Sequence, residues 1–160
     1  MQPNTRKIVA TFHGQLLYEL AIGRLLQHCL QQEQADLTSV DAEHLLQSNT
    51  RKSVLLTRLS ETANRRLNWM SQQNIPLSDE LNQHELMRNN PALQTLWQQL
   101  AEQYQTNKTL AEQLSELALK LRHRTRKQID ILTGRNQDPL TYNESGTTRN
   151  NAGGSGYISA

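Results

Sequence analysis

Five histidines, His13, His28, His44, His84 and His123, are the side chains of this sequence best suited to hold a metal or move a proton near neutral pH. A zinc-protease helix needs two histidines four positions apart, with a glutamate after the first. His84-Glu85 opens that pattern, but Arg88 stands where the second histidine belongs, and none of the other four reaches a partner at such spacing. The histidines therefore read as structural or surface residues. Ser39 and Asp41 sit at helix-capping spacing rather than as a nucleophile and its base. Cys29, the single cysteine, falls inside an apolar stripe and reads as a small buried hydrophobe rather than a reactive thiol. A lone cysteine forms no internal disulfide, which points to the reducing cytoplasm. No glycine-rich phosphate loop joins a strand to a helix, because no strand-like alternation of β-branched residues occurs. These residues supply no catalytic group, metal site or cofactor site, so the chain reads as a non-enzyme without a cofactor.

The densest charge is Arg122-His123-Arg124-Thr125-Arg126-Lys127. Cations near a helix C-terminus are favoured by the macrodipole, and that explanation competes with contact to RNA or to an acidic partner through Arg122, Arg124, Arg126 and Lys127. No aromatic residue is interleaved for base stacking, and a net charge of +2 is too small for a general nucleic-acid binder. The run also interrupts an apolar seam. Leu121 ends one stretch, and Ile129, Ile131 and Leu132 form a separate cluster, readable either as a frayed end or as a docking surface.

These residues must be positioned by helices. The chain has 160 residues, one domain's worth, with 36% hydrophobic content and a mean hydropathy of −0.72, so its core is modest. No apolar run reaches the roughly 20 residues of a membrane span, which argues against membrane insertion. The first residues show no secretory cleavage pattern. Glutamine and leucine dominate, while glycine and proline gather at joints and ends, a composition that favours long helices.

The spacing predicts a first helix from Thr5 to Gln34, buried along Val9, Phe12, Leu16, Leu20, Leu26 and Leu30. Gly23 interrupts that stripe and implies the close approach of a neighbouring helix. A joint is expected at Ala35 to Ser39, with Thr38-Ser39-Val40-Asp41 capping a second helix from Val40 to Gln73. Its stripe is Leu45, Leu56, Leu59, Ala63, Leu67 and Met70, and Arg51, Lys52, Arg58, Arg65 and Arg66 read as a solvated basic face. Asn74-Ile75-Pro76-Leu77 breaks it. A short helix follows from Asp79 to Arg88, burying Leu81, Leu86 and Met87. Asn90 and Pro91 then start a last helix that runs to Leu132 and stops at Thr133-Gly134. Its stripe is Leu93, Trp97, Leu100, Tyr104, Ala111, Leu114, Ala118 and Leu121. Short joints make consecutive long helices antiparallel neighbours, so the expected fold is all-α: an elongated antiparallel three-helix coiled coil with a short extra helix. Residues 1–134 form the helical domain. The tail from residue 135 to 160 has too little apolar content to fold alone. On these residues alone, a protein-holding chain stands beside a helical regulatory or RNA-binding protein and a self-associating coiled-coil adaptor.

Four stretches, in order, resemble the FlgN family of flagellar type III export chaperones. Lys52-Ser53-Val54-Leu55-Leu56-Thr57-Arg58-Leu59, with Arg65-Arg66 downstream, is similar to the family's second-helix pattern. Asn107-Lys108-Thr109-Leu110 resembles its asparagine-to-leucine step in the last helix. Leu140-Thr141-Tyr142-Asn143-Glu144-Ser145-Gly146 resembles its tail pattern of tyrosine followed by glycine, and Gly153-Gly154-Ser155-Gly156-Tyr157-Ile158-Ser159 resembles the ending of some members. The resemblance implies a cytoplasmic, all-helical chaperone that binds the hook-associated proteins FlgK and FlgL, the hook-filament junction subunits, and brings them to the cytoplasmic domain of the export gate. Carried over by position, it implies Leu114, Leu117, Leu121, Ile129 and Leu132 as contacts to the exported protein and Tyr142 as the contact to the gate.

Overall fold

The computed structural model describes residues 3–39, 42–77 and 79–134. The order of elements is α1 (Pro3–Ser39), α2 (Ala42–Gln72), a 3₁₀ segment (Asp79–Gln83), α3 (Glu85–Arg88) and α4 (Pro91–Leu132), and no strand occurs among the described residues. The all-helical expectation holds. The chain divides into two units, Met1–Leu119 and Lys120–Ala160.

In the first unit α1 and α2 pair antiparallel. Glu19 meets Arg66, Glu33 meets Lys52 and Asp36 meets Ser48, so numbers rise on one helix as they fall on the other. The first-unit part of α4 runs parallel to α1, since Phe12 meets Trp97, Glu19 meets Tyr104 and Gly23 meets Asn107. That up-down-up order returns α4 to α1 after the 3₁₀ segment and α3 have reversed the chain beyond α2.

The core has two apolar clusters. One gathers Phe12, Leu16, Leu20, Met70, Ile75, Leu81, Leu86, Met87, Leu93, Leu96 and Leu100. Phe12 lies against both tryptophans, its ring centroid 5.7 Å from Trp69 and 6.2 Å from Trp97. Burying each such large side chain stabilises the fold by about 1.5–3 kcal/mol. The other cluster is Ile22, Leu26, Leu30, Leu59 and Leu114.

Between them lies a polar layer. The Glu19 carboxylate is fully buried. It accepts from Arg66 Nε at 2.6 Å and Nη2 at 3.1 Å, and from the Tyr104 hydroxyl at 2.7 Å. The guanidinium also lies 5.1 Å from the centroid of the Trp97 ring. On the α1–α4 side, Asn107 Nδ2 donates to the Gly23 carbonyl at 2.9 Å, and Gln103 Nε2 donates to Gln27 at 2.8 Å. Gly23 does mark a close approach, because a Cβ there would stand 2.9 Å from Gln103 Cγ.

Several boundaries and faces differ from expectation. No joint forms at Ala35 to Ser39, since α1 continues through it to Ser39. Thr38 and Ser39 lie in the last turn of α1. Their hydroxyls donate backwards, to the carbonyls of Gln34 at 2.9 Å and Asp36 at 3.1 Å. Val40 and Asp41 lie outside the described residues. The buried face of α2 is rotated from the leucine stripe: Leu56 and Leu67 are exposed, whereas Ser48, Thr62 and Arg66 are buried. Each of those three finds a partner, Asp36 Oδ2, the Arg58 carbonyl and Glu19 respectively, and a satisfied polar group tolerates burial. Of the expected basic face, Arg66 is internal and Lys52 pairs with Glu33 at 2.7 Å, while Arg51, Arg58 and Arg65 are exposed.

α2 closes where expected. Asn74 takes a left-handed φ of 56°, and Ile75 N donates to the Met70 carbonyl at 2.9 Å. The short helix between Asp79 and Arg88 is two pieces, divided at His84, whose Nδ1 accepts from Leu86 N at 3.2 Å. Leu81, Leu86 and Met87 are buried there, as the pattern implies. Asn90 Nδ2 donates to the Leu86 carbonyl at 2.7 Å, closing α3 just before Pro91 opens α4. In the second unit α4 ends at Leu132, and Gly134, at φ +67°, donates to Ile131 O at 3.2 Å.

Candidate partner-binding site

The expected contacts to an exported protein differ in how α4 presents them. Leu114 is 5% exposed and packs with Ile22, Leu26, Leu30 and Leu59. It serves the chain's own core, because residues of α1 and α2 pack against it. Leu117 and Leu121 are half-buried. Ile129 and Leu132 are exposed at 51% and 85%, and Ile131 beside them at 63%. The second unit therefore presents an apolar end of α4 to solvent. Arg122, Arg124, Arg126 and Lys127 are all exposed on the same stretch. Tyr142 lies outside the described residues.

A groove that the leucine pattern did not disclose lies within the first unit, where α1, α2 and α4 diverge. Its volume is about 490 Å³, and Leu26, Leu30, Leu56, Leu59, Ala111 and Leu114 line it, with Lys108 at its edge. A second depression of about 640 Å³ lies between α1 and α2, with Leu25, Val54 and Leu55 beside Cys29, His28 and His44. The sequence held one signal for the first groove: Leu56, adjacent to core-packed Leu55, is a second leucine that the core does not bury.

Two polar side chains beside these grooves are held by partners within the fold. The Cys29 thiol donates to the Ser48 carbonyl at 3.4 Å. Burial pushes its pKa up, with the nearby Glu33 carboxylate adding to the shift, so the nucleophilic thiolate is disfavoured. The Tyr104 hydroxyl is pushed well above its ordinary range by burial and by its hydrogen bond to the Glu19 carboxylate. It is a fixed donor. No three His, Cys, Asp or Glu side chains among the described residues cluster at metal-binding distance, and no described helix is long and apolar enough to cross a membrane.

The motif residues shared with a known family turn out to hold the helices together. Lys52 reaches Glu33, Arg66 reaches Glu19 and Asn107 reaches the Gly23 carbonyl. Such residues report on the scaffold. Neither the curated proteins nor the solved structures gave a match. The FlgN protein family model, by contrast, matches residues 1–150, most of the chain. With its helix order, its internal motif contacts and that match in agreement, this chain belongs to the FlgN family of flagellar export chaperones.

Proposed function

We propose that this chaperone binds hook-associated proteins of the FlgK and FlgL kind in the cytoplasm and delivers them to the cytoplasmic domain of the export gate. The observation that carries this reading is the exposed apolar end of α4, Ile129, Ile131 and Leu132. Apolar side chains left uncovered at the end of a long helix suit a helix-in-groove or helix-on-helix contact with an amphipathic segment. Covering that segment stabilises the partner by mass action and keeps it from assembling early. Half-buried Leu117 of the first unit and Leu121 of the second are further proposed contacts, whereas Leu114, which the resemblance also implies, packs in the first unit's own core. The function is binding and release, with no bond made or broken. Tyr142 is the proposed contact to the gate.

Two experiments separate these roles. Leu121→Asp and Ile129→Asp are expected to abolish co-purification of the hook-associated protein while leaving helical circular dichroism unchanged. Undiminished capture by both variants would remove this surface from the reading. Tyr142→Ala is expected to retain capture and to lower recruitment to the gate domain in a pull-down; normal recruitment would deny Tyr142 that role.

A further inference from the structure

The second unit carries charge that its own fold does not use. Between Lys120 and Gly134 stand Lys120, Arg122, Arg124, Arg126 and Lys127 against a single carboxylate, Asp130. The whole chain is only +2, so everything outside this stretch is net acidic. All five cations are exposed. The described ion pairs, Lys52–Glu33 and Arg66–Glu19, include none of them. Nor does the helix macrodipole account for them, since its effect falls off within the last turn and the last turn of α4 has no basic residue.

Helical geometry gives the charge a pattern. At about 100° per residue, Leu121, Thr125, Gln128 and Leu132 share one stripe. Lys120, Arg124 and Ile131 flank it on one side, with Lys127 beyond them. Ile129 and Arg122 flank it on the other, with Arg126 beyond, and Asp130 takes the opposite face. The result is an apolar-to-polar seam bordered by cations on both sides.

The geometry points to a specific class of occupant for this seam: an acidic amphipathic helix of a partner protein, apolar on one face and carrying Asp or Glu along both flanks. This rests on the chaperone reading above and names the chemistry of the segment the chaperone takes. Charge complementarity supplies the argument, because flanking carboxylates would meet Lys120, Arg122 and Arg124 and fix the register of the apolar contact. An anionic membrane fits less well. Gln128 occupies the middle of the stripe, where acyl chains offer it no hydrogen bond, whereas a protein side chain can. The stretch also contains no aromatic residue, which an interfacial membrane helix or a single-stranded RNA platform would favour.

The test uses the full-length chaperone and two labelled helical peptides with one shared apolar stripe, flanked in one by glutamates and in the other by lysines. Binding is read by fluorescence anisotropy at low and high salt. The glutamate peptide is expected to bind at least about tenfold more tightly at low salt, as several exposed ion pairs act together. High salt should shrink that preference, and the variant R122E/R124E/R126E should reverse it. Equal binding of the two peptides, or a preference that survives charge reversal, overturns the proposal. So does binding to phosphatidylglycerol vesicles or to a single-stranded RNA without any preference for the glutamate peptide. Capture of a hook-associated protein that is indifferent to R122E/R124E/R126E overturns it while the chaperone reading stands. Glutamate preference without capture of such a protein supports the proposed chemistry and removes the chaperone reading from this surface.

Discussion

Glu19 is the residue on which the polar layer turns. A carboxylate with no solvent exposure is costly unless paired and hydrogen-bonded, and Arg66 and Tyr104 together satisfy it with three bonds. Removing one partner of such a buried pair costs about 3–5 kcal/mol, because the other charge is left behind. Tyr104 offers the cleaner test, since losing its hydroxyl leaves the ion pair in place. Tyr104→Phe is expected to lower stability at neutral pH by about 1.5–3 kcal/mol, the usual worth of a hydrogen bond to a charged group. Its pH dependence has a fixed sign. The folded pKa of Tyr104 is raised above its ordinary value of 10.0, so its contribution is full below about pH 10 and is lost as pH rises beyond it. Urea titrations of both proteins should therefore show the wild-type advantage narrowing above about pH 10. An advantage that stays constant through that range would mean the hydroxyl is not held by Glu19.

At the scale of the element, polar pairs set the register of the helices on α1. Sliding α2 by one turn would separate Arg66 from Glu19, Lys52 from Glu33 and Ser48 from Asp36 at once. Apolar seams alone tolerate such slips, whereas a buried polar partner penalises them. α4 is fixed differently, through Gly23, whose missing side chain admits Gln103 and whose carbonyl accepts from Asn107. Gly23→Leu is expected to destabilise the fold by about 1–3 kcal/mol, as overpacking does. The better helix propensity of leucine, roughly 1 kcal/mol over glycine, offsets only part of that. A denaturation midpoint above wild type would show that α4 can retreat from α1 without loss. The end of α1 shows the reverse lesson. The Thr38-Ser39 signal is a true capping composition, yet α1 continues through it because the buried Asp36 carboxylate is held by Gln32 and Ser48.

At the scale of the whole molecule, the two units differ in burial. Met1–Leu119 contains both apolar clusters and the polar layer. In Lys120–Gly134 the residues from Arg122 to Ile129 are exposed without exception. A chain ended at Leu119 should therefore keep its cooperative unfolding, with stability within about 1 kcal/mol of the full chain, since exposed residues contribute little. It should also lose capture of the hook-associated protein. Collapse of the shortened chain would mean that residues after Leu119 complete the core, and retained capture would place the binding surface in the first unit, with the α1–α2–α4 groove as its seat.

The sequence by itself determined the helical class, the bounds of α4, the breaks at Asn74 and Gly134, and most of the first cluster's apolar members, though Ile75 reads there as part of a break and Leu96 lies off the predicted stripe. These follow from local effects: periodicity, the fixed φ of Pro91 and the left-handed tolerance of Asn74 and Gly134. It also held the exposed cluster Ile129, Ile131 and Leu132, legible because the basic run detaches it from the seam. Only the tertiary structure decided the face that α2 buries. Hydrophobicity ranks Leu56 and Leu67 above Ser48, Thr62 and Arg66, but the ranking ignores partners. Once α1 brings Glu19 and Asp36 across, Arg66 and Ser48 are satisfied inside and the two leucines stay outside. For the same reason Leu114 became core. Whether an apolar side chain on a long helix holds its own protein or another is settled by which neighbours arrive, and those come from residues far away in the chain.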